Sequence, residues 1–201
     1  MEDIRTARRF LRKAGFTKNF DDMVFHVLDK HTDRVQVNSF LDAAVKGEDI
    51  GLLSEAGVPC VADPGSEIVH LAHRRNIRVV PLTGPSSLLL ALMASGFNGQ
   101  NFVFHGYLPI KPKERSVALL KLEKDVYSKN QTQIFIEAPY RNNHMLESIC
   151  KICKAETLLC LAVDVTSEKE SIKTKTIKDW KTALPDLHKK PVVFLVYKQY
   201  Q

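Results

Sequence analysis

Two turn clusters, about twenty-five residues apart, hold the residue types best suited to gripping a small molecule. The first runs Ser54-Glu55-Ala56-Gly57-Val58-Pro59 and continues through Ala62-Asp63-Pro64-Gly65. The second is Thr83-Gly84-Pro85-Ser86-Ser87. Each follows an apolar run, Leu52-Leu53 in one case and Val79-Val80-Pro81-Leu82 in the other, and each opens onto a segment of helical character. Turns that follow parallel strands lie at the carboxyl edge of an open α/β sheet, where such sheets bind ligands. Gly57, Gly65 and Gly84 let backbone approach a ligand closely or take positive φ. A small-molecule site at this edge is the expectation. The plainer alternative is a pair of tight strand-to-helix connections.

Spacing argues against several other chemistries. Cys150 and Cys153 form a C-x-x-C, but on an expected helix. No second pair with metal spacing follows and Cys160 stands alone, so neither a zinc nor a redox centre is expected. His70 and His73 lie three apart on another expected helix, without a third ligand nearby, and read as surface residues. The sequence contains no G-x-G-x-x-G and no Walker-type P-loop, which argues against dinucleotide and ATP use.

Composition sets the frame for these residues. At 201 residues, 44% hydrophobic and 26% charged, the chain reads as an ordinary globular protein with a substantial core. No apolar run approaches the ~20 residues that span a bilayer. The charged opening MEDIRTARRFLRK lacks an apolar signal region, and the four cysteines lack secreted-type spacing. A reducing cytoplasm is the expected setting. A net charge of +6 permits a nucleic-acid partner without establishing one.

Helical and strand-like segments alternate along the chain. Helical spacing marks residues 3–14, where Ile4, Ala7, Phe10, Leu11 and Ala14 recur among arginines. A helix is expected over 35–46 ending at Gly47, a favoured C-cap type, and others over 66–75 and 85–95. Strands are expected at 23–28, 50–53 and 77–82. This βα rhythm predicts a mostly parallel sheet covered by helices. Near Gly96 the character changes, with Gly99, Gly106, Pro109 and Pro112 as punctuation. Two α/β domains are therefore expected, 1–97 and 98–201. The second is expected to hold strands at 102–105, 133–137, 157–165, 171–177 and 192–197, with helices over 113–128 and 140–153. Consecutive strands without an intervening helix predict a mixed second sheet.

Taken in order, SEAGVPCVADPG, VVPLTGPSSLLLALMASGF, FHGYLP and IFIEAPYR resemble the tetrapyrrole (corrin/porphyrin) methylase superfamily. The branch they most resemble is the ribosomal RNA small subunit methyltransferase I type. Its S-D-A-G-x-P and S-D-P-G turns match residues 54–59 and 62–65. Its P-x-P-G-P-S-A turn matches 81–87 loosely, F-x-G-F-L-P matches 104–109, and Y-E-S-P-H-R matches 136–141. An E-D-T-R segment falls at 2–5, and an H-x-H-N-like segment at Lys30-His31-Thr32. The similarity runs from about residue 2 to residue 198. There are departures. Glu55 stands where the branch has Asp, Ala62 where it often has Ser, and residues 163–166 depart from an R-E-L-T-K pattern. Members open with a strand and a Gly/Pro-rich loop, whereas this sequence opens at what resembles the helix after that loop. The resemblance thus implies a first domain lacking its first strand.

The family places S-adenosylmethionine in a cleft between two domains and holds it largely by backbone. That implies contacts from Ser54, Ala56, Gly57, Val58, Pro59, Asp63, Gly65, Gly84, Ser86 and Ser87. The branch methylates a ribose 2′-hydroxyl of a cytidine in 16S rRNA. A hydroxyl is a poor nucleophile and benefits from a nearby base. Glu137, Glu55 and His31 are the candidates, with Glu137 first because it ends an apolar strand just before Pro139. The alternative is that Glu137 pairs with Arg141 and caps the next helix. Arg5 and Arg8 on the first helix, Arg141, and Tyr107 beside Gly106 are the candidate RNA contacts. For the arginines the alternative is a solvated helix face. The resemblance further implies a homodimer, and the Cys and His spacing leaves no metal expected. Two other readings stay open: a methylase of a tetrapyrrole precursor, and a non-catalytic S-adenosylmethionine- or RNA-binding homologue.

Overall fold

A computed structural model of the chain describes residues 1–29 and 32–199, with Arg34 described by its backbone alone. The chain divides into two compact units, Met1–Ser86 and Ser87–Gln201.

The first unit is helical. α1 (Ile4–Lys13) starts where Asp3 accepts the Thr6 N–H at 2.9 Å and ends with Arg12 and Lys13 against its negative pole. The segment expected as one helix over 35–46 is two, α2 (Arg34–Ser39) and α3 (Asp42–Val45). The break follows Asn38 and Ser39, polar types whose side chains compete with helix backbone, and β-branched Val35 and Val37 add little propensity. α4 (Ser66–Arg74) matches its expectation closely. Leu28, Val37, Leu41, Ile68 and Ala72 form a small core.

No strand forms in this unit among the described residues. The runs at 23–28, 50–53 and 77–82 are extended in sequence character but join no ladder. Val79, Val80 and Leu82 are 37%, 57% and 90% exposed. An apolar run becomes a strand only when a neighbour supplies partners in register. A trace of pairing remains at Leu28, whose N–H donates to the Met1 carbonyl at 2.8 Å. The mostly parallel first sheet expected from the βα rhythm is therefore corrected: α/β character resides in the second unit.

That unit opens with α5 (Ser87–Ser95), followed by β1 (Phe102–Tyr107), α6 (Pro112–Lys129), β2 (Thr132–Ile136), α7 (Asn142–Ile152), β3 (Leu158–Val163), β4 (Ser171–Thr176), α8 (Ile177–Thr182) and β5 (Val192–Tyr197). The sheet order is β1-β2-β5-β3-β4. β1 and β2 are parallel, and the other neighbours are antiparallel. This is the mixed sheet that the run of strands predicts. β5 is buried along its whole length because it lies between β2 and β3 and is covered on both faces. Phe135 and Phe194, paired across β2 and β5, stack at 5.4 Å in its centre. α5 packs on this sheet, where Thr174 donates to the Ser95 carbonyl at 2.8 Å. Sequence reasoning assigned that helix to the first domain. α8 had no sequence expectation; the end of an expected strand hid it. It starts at Thr176, which accepts the Asp179 N–H at 3.0 Å and donates to the Asp179 carboxylate at 2.7 Å.

Candidate functional site

In the first unit the 54–65 segment is a loop shaped by its own polar side chains. Ser54 Oγ donates to the Ala56 carbonyl at 3.0 Å. Asp63 Oδ1 accepts from the backbone N–H of Cys60 at 3.1 Å and of Gly65 at 2.7 Å, closing the turn that leads into α4. Gly65 is closely packed, and any side chain there would force its neighbours to move. A Cβ there would stand 2.7 Å from Asp63 Oδ1 and 2.8 Å from Leu52 Cδ2. Cys60 and Ala62 take positive φ, 70° and 56°, a conformation that costs non-glycine residues energy and marks a tightly specified loop. Burial, followed by the nearby Asp63 charge, raises the Cys60 thiol pKa.

Gly57 contrasts with Gly65. It has φ 74°, it is exposed, and the space its Cβ would fill is open. Gly84 is also exposed with open space around it. Val58, Pro59 and Ser86 are half-buried, whereas Glu55 and Ala56 face solvent. Thr6 of α1 donates its hydroxyl to Glu55, which ties this turn to the start of the first helix. Ser87 begins α5 in the second unit and is half-buried.

The arginines of α1 differ from one another. Arg5 is exposed. Arg8 lies over two rings, 5.5 Å from Phe20 and 4.9 Å from Phe25. Arg12 covers Phe20 at 4.1 Å and donates to the carbonyls of Phe16 and Lys18. Arg8 and Arg12 therefore hold the chain after α1 in place, and Arg5 is left to face outward. His31 lies outside the described residues.

In the second unit a polar group gathers at the carboxyl edge of the parallel pair. Tyr107 at the end of β1 pairs with Ile136 at the end of β2, so Glu137 lies one residue beyond that pairing. The ladder shifts register between Phe104 and Tyr107, where Gly106 takes φ 64°. That bulge leaves the Tyr107 ring 54% exposed. After β2 the chain passes Pro139 into a short 3₁₀ turn, Pro139–Arg141, and then α7. This turn brings Arg141 back over Glu137.

The two oxygens of Glu137 have different surroundings. Oε1 accepts three N–H groups: Ala138 N at 2.7 Å, Arg141 Nε at 3.0 Å and Arg141 Nη2 at 2.6 Å. Oε2 is buried and accepts none among the described residues. The side chain is 0% exposed and that of Arg141 21%. The hydrogen bonds that Arg141 donates to Glu137 raise its own pKa, so its charge is fixed. Arg141 Nη1 also donates to Tyr140 Oη at 2.7 Å. The carboxylate is oriented through Oε1, while Oε2 keeps lone pairs that no donor among the described residues occupies but is enclosed by protein.

Sequence reasoning missed Tyr140, Asn142 and Lys189 at this edge. Asn142 is buried, donates to the Lys190 carbonyl at 2.7 Å, and has an Oδ1 unpartnered among the described residues. Lys189 takes φ 59° and its N–H donates to the Pro139 carbonyl at 3.0 Å. The spacing of Glu137 and Arg141 about Pro139 was the available signal for this cluster. The contribution of 189–190 comes from the approach to the neighbouring strand β5 and had no local signal. Among the described residues, no group of three His, Cys, Asp or Glu is placed to hold a metal ion. Burial pushes the Cys153 thiol up to about 12, so it is held as a neutral thiol rather than a thiolate ligand.

The family model of tetrapyrrole (corrin/porphyrin) methylases matches residues 4–181. The chain belongs to this family. Its members are methyltransferases, and this chain is one of them. It is 31% identical over 198 residues to "Ribosomal RNA small subunit methyltransferase I" of Haemophilus influenzae, covering 97% of this chain and 67% of that protein. The like-named protein of Escherichia coli O157:H7 is 34% identical over 171 residues, covering 85% of this chain and 57% of that one. The chain thus spans about two thirds or less of these relatives. Among solved structures, the methyltransferase CobJ superposes with a TM-score of 0.60 at 18% identity, covering 94% of this chain and 86% of that one. Cobalt precorrin-4 methyltransferase CbiF gives 0.52 at 16%, covering 86% and 74%. These two likenesses establish the methylase fold for this member. No helix among the described residues is long and apolar enough to cross a membrane.

Proposed function

We propose that this family member methylates a ribose 2′-hydroxyl in small-subunit ribosomal RNA, using S-adenosylmethionine, with Glu137 as the general base. The relatives' names support the RNA substrate, and the net charge of +6 agrees with a polyanionic partner. The observation that carries the mechanism is the difference between the two oxygens of Glu137.

The first-unit turns fit the cofactor. Asp63 and Ser54 use their side chains to shape the 54–65 loop, and both Gly57 in it and Gly84 in the second turn are exposed with room beside them. Ala56, Val58, Pro59 and Ser86 complete the first-unit set that would hold it, Gly65 supports the loop through its bond to Asp63, and Ser87 opens α5. When bound, the cofactor supplies an electrophilic methyl group on a sulfonium. The protein's tasks are to align the acceptor oxygen and exclude water. Arg141 locks the Glu137 carboxylate through Oε1. A buried oxygen without a donor costs about 1–3 kcal/mol. Oε2 is enclosed, so its cover must part before a ribose hydroxyl reaches it; a hydroxyl that then donates there relieves that cost as it gives up its proton. Tyr107 and Tyr140, both exposed, offer ring faces to a base at the same edge. Arg5 offers an outward cation to phosphate. Glu55, held by Thr6, and His31 are the lesser candidates for the base. We place the enzyme in the cytoplasm, as a homodimer.

Thermal melting with S-adenosylmethionine and with its demethylated product tests the cofactor. A ligand at a hundredfold excess over its Kd stabilises the fold by about 2.7 kcal/mol. Mapping 2′-O-methyl groups in small-subunit rRNA from cells with and without the gene tests the substrate. A methylation map identical in the two strains sinks the RNA reading, whatever the melting result.

A further inference from the structure

α8 and the chain after it lie along the edge strand β4. Alternation along that strand sends Thr174 toward α5, so Lys173 and Lys175 lie on the opposite face, with Trp180. There a trough of about 280 Å³ opens. Lys173, Lys175, Trp180, Leu184, Pro185 and Leu161 are among the residues that line it. Lys175 Nζ stands 4.9 Å from the Trp180 ring centre, and Trp180 is fixed by its indole N–H bond to the Leu159 carbonyl at 2.8 Å. Leu184 is 46% exposed. Lys178 and Lys181 extend the positive charge along α8, so residues 171–181 hold four lysines against one aspartate. That aspartate, Asp179, is engaged with the α8 cap at Thr176.

We infer that this trough is an RNA-binding surface that seats a single-stranded segment of the substrate away from the Glu137 edge. The inference rests on the ribosomal RNA reading above. Phosphates meet Lys173 and Lys175, and an unpaired base lies against the apolar lining at Leu184 and Pro185. Charge complementarity selects the occupant. Cationic groups along an apolar slot suit a chain whose charged backbone alternates with flat rings. Lysines on an edge strand also deter strand-to-strand association. That role needs charge along the edge, but it does not call for an apolar slot beside the charge.

The test uses the full chain and a labelled twelve-nucleotide oligouridine, with Kd measured by anisotropy from 50 to 200 mM KCl. The double variant K173Q/K175Q is expected to bind at least about tenfold more weakly at 100 mM. Its slope of log K against log salt should be shallower by about 1.4, the share of two single-strand phosphate contacts. K173R/K175R should retain both values, and Leu184→Asp should weaken binding as the glutamine pair does. Melting with S-adenosylmethionine should be unchanged in all three variants. If the wild-type chain binds the RNA and K173Q/K175Q matches it in Kd and slope, the trough is overturned and the ribosomal RNA reading stands. The trough is equally overturned if K173Q/K175Q only self-associates and its monomer binds normally, which assigns the lysines to edge protection. If the wild-type chain binds no oligouridine, the trough is overturned, and the ribosomal RNA reading is decided by the methylation map.

Discussion

The two units spend their polar side chains in different ways. In Met1–Ser86, Asp63, Ser54 and Asp3 bond to backbone within a few residues of themselves and so give shape to loops and a helix start. In Ser87–Gln201, polar side chains bridge distant segments over a closed core. Asn142 reaches Lys190, and Glu123 accepts from Lys154 N and Thr157 Oγ1. The apolar cores differ in the same sense. Leu28, Val37, Leu41, Ile68 and Ala72 make up the buried cluster of the first unit, whereas the second has a five-stranded sheet with helices packed on it. Local bonds specify a loop that can meet a ligand with its backbone. A sheet edge specifies the angle of one carboxylate.

The sharpest way to break this contrast is at Glu137. Glu137→Gln keeps the shape and removes the proposed base, so methyl transfer should fall by about 10²–10⁴. The melting shift with S-adenosylmethionine should persist. A rate within a few-fold of wild type in a tritium-transfer assay removes Glu137 from the mechanism. Core truncations come next. Phe135→Ala deletes half of a stacked pair at full burial and should cost about 3–5 kcal/mol in urea unfolding. Leu41→Ala, in the smaller cluster, should cost about 2 kcal/mol. Equal costs would mean that the first core is as well specified as the second.

Thiol chemistry sharpens the contrast without truncation. Cys60 lies half-buried in the first-unit loop, while Cys153 is buried with its pKa near 12. Iodoacetamide at pH 8 should label Cys60 about a hundredfold faster, as read by mass spectrometry. The same burial has a pH signature. The unfolded Cys153 thiol ionises from the model-compound value of 9.0, while the folded one waits until about 12. The unfolded state therefore releases its proton first. The stability contribution is whole below pH 9 and is lost as pH rises to about 12. Cys153→Ala should flatten that part of the profile. The smallest effect is expected at the loop. Asp63→Ala removes the acceptor for two N–H groups and should cost about 1–2 kcal/mol. It should also weaken cofactor binding, read by the same melting shift.

Much of the second unit was legible from sequence. Strands such as VVFLVY are apolar throughout, because a strand covered on both faces has no polar side to show. The Glu137-to-Arg141 spacing also suggested its ion pair, and the pair is present. What the residues did not show was that the pair occupies a single oxygen and leaves the other buried without a donor, since that depends on the Pro139–Arg141 turn and the backbone of Ala138. In the first unit, the apolar runs at 50–53 and 77–82 looked like strands because composition reports burial preference and says nothing of a partner.

The amino-acid order alone determined the family, the turn-forming clusters, the helix caps and the strands of the second unit, because each depends on neighbours within a few positions or on a motif read in sequence. Tertiary structure decided strand order, the placing of lysines beside Trp180, and which oxygen of Glu137 is left without a donor. Those properties are set by groups far apart in the chain that meet only when the sheet closes, and local spacing holds no record of them.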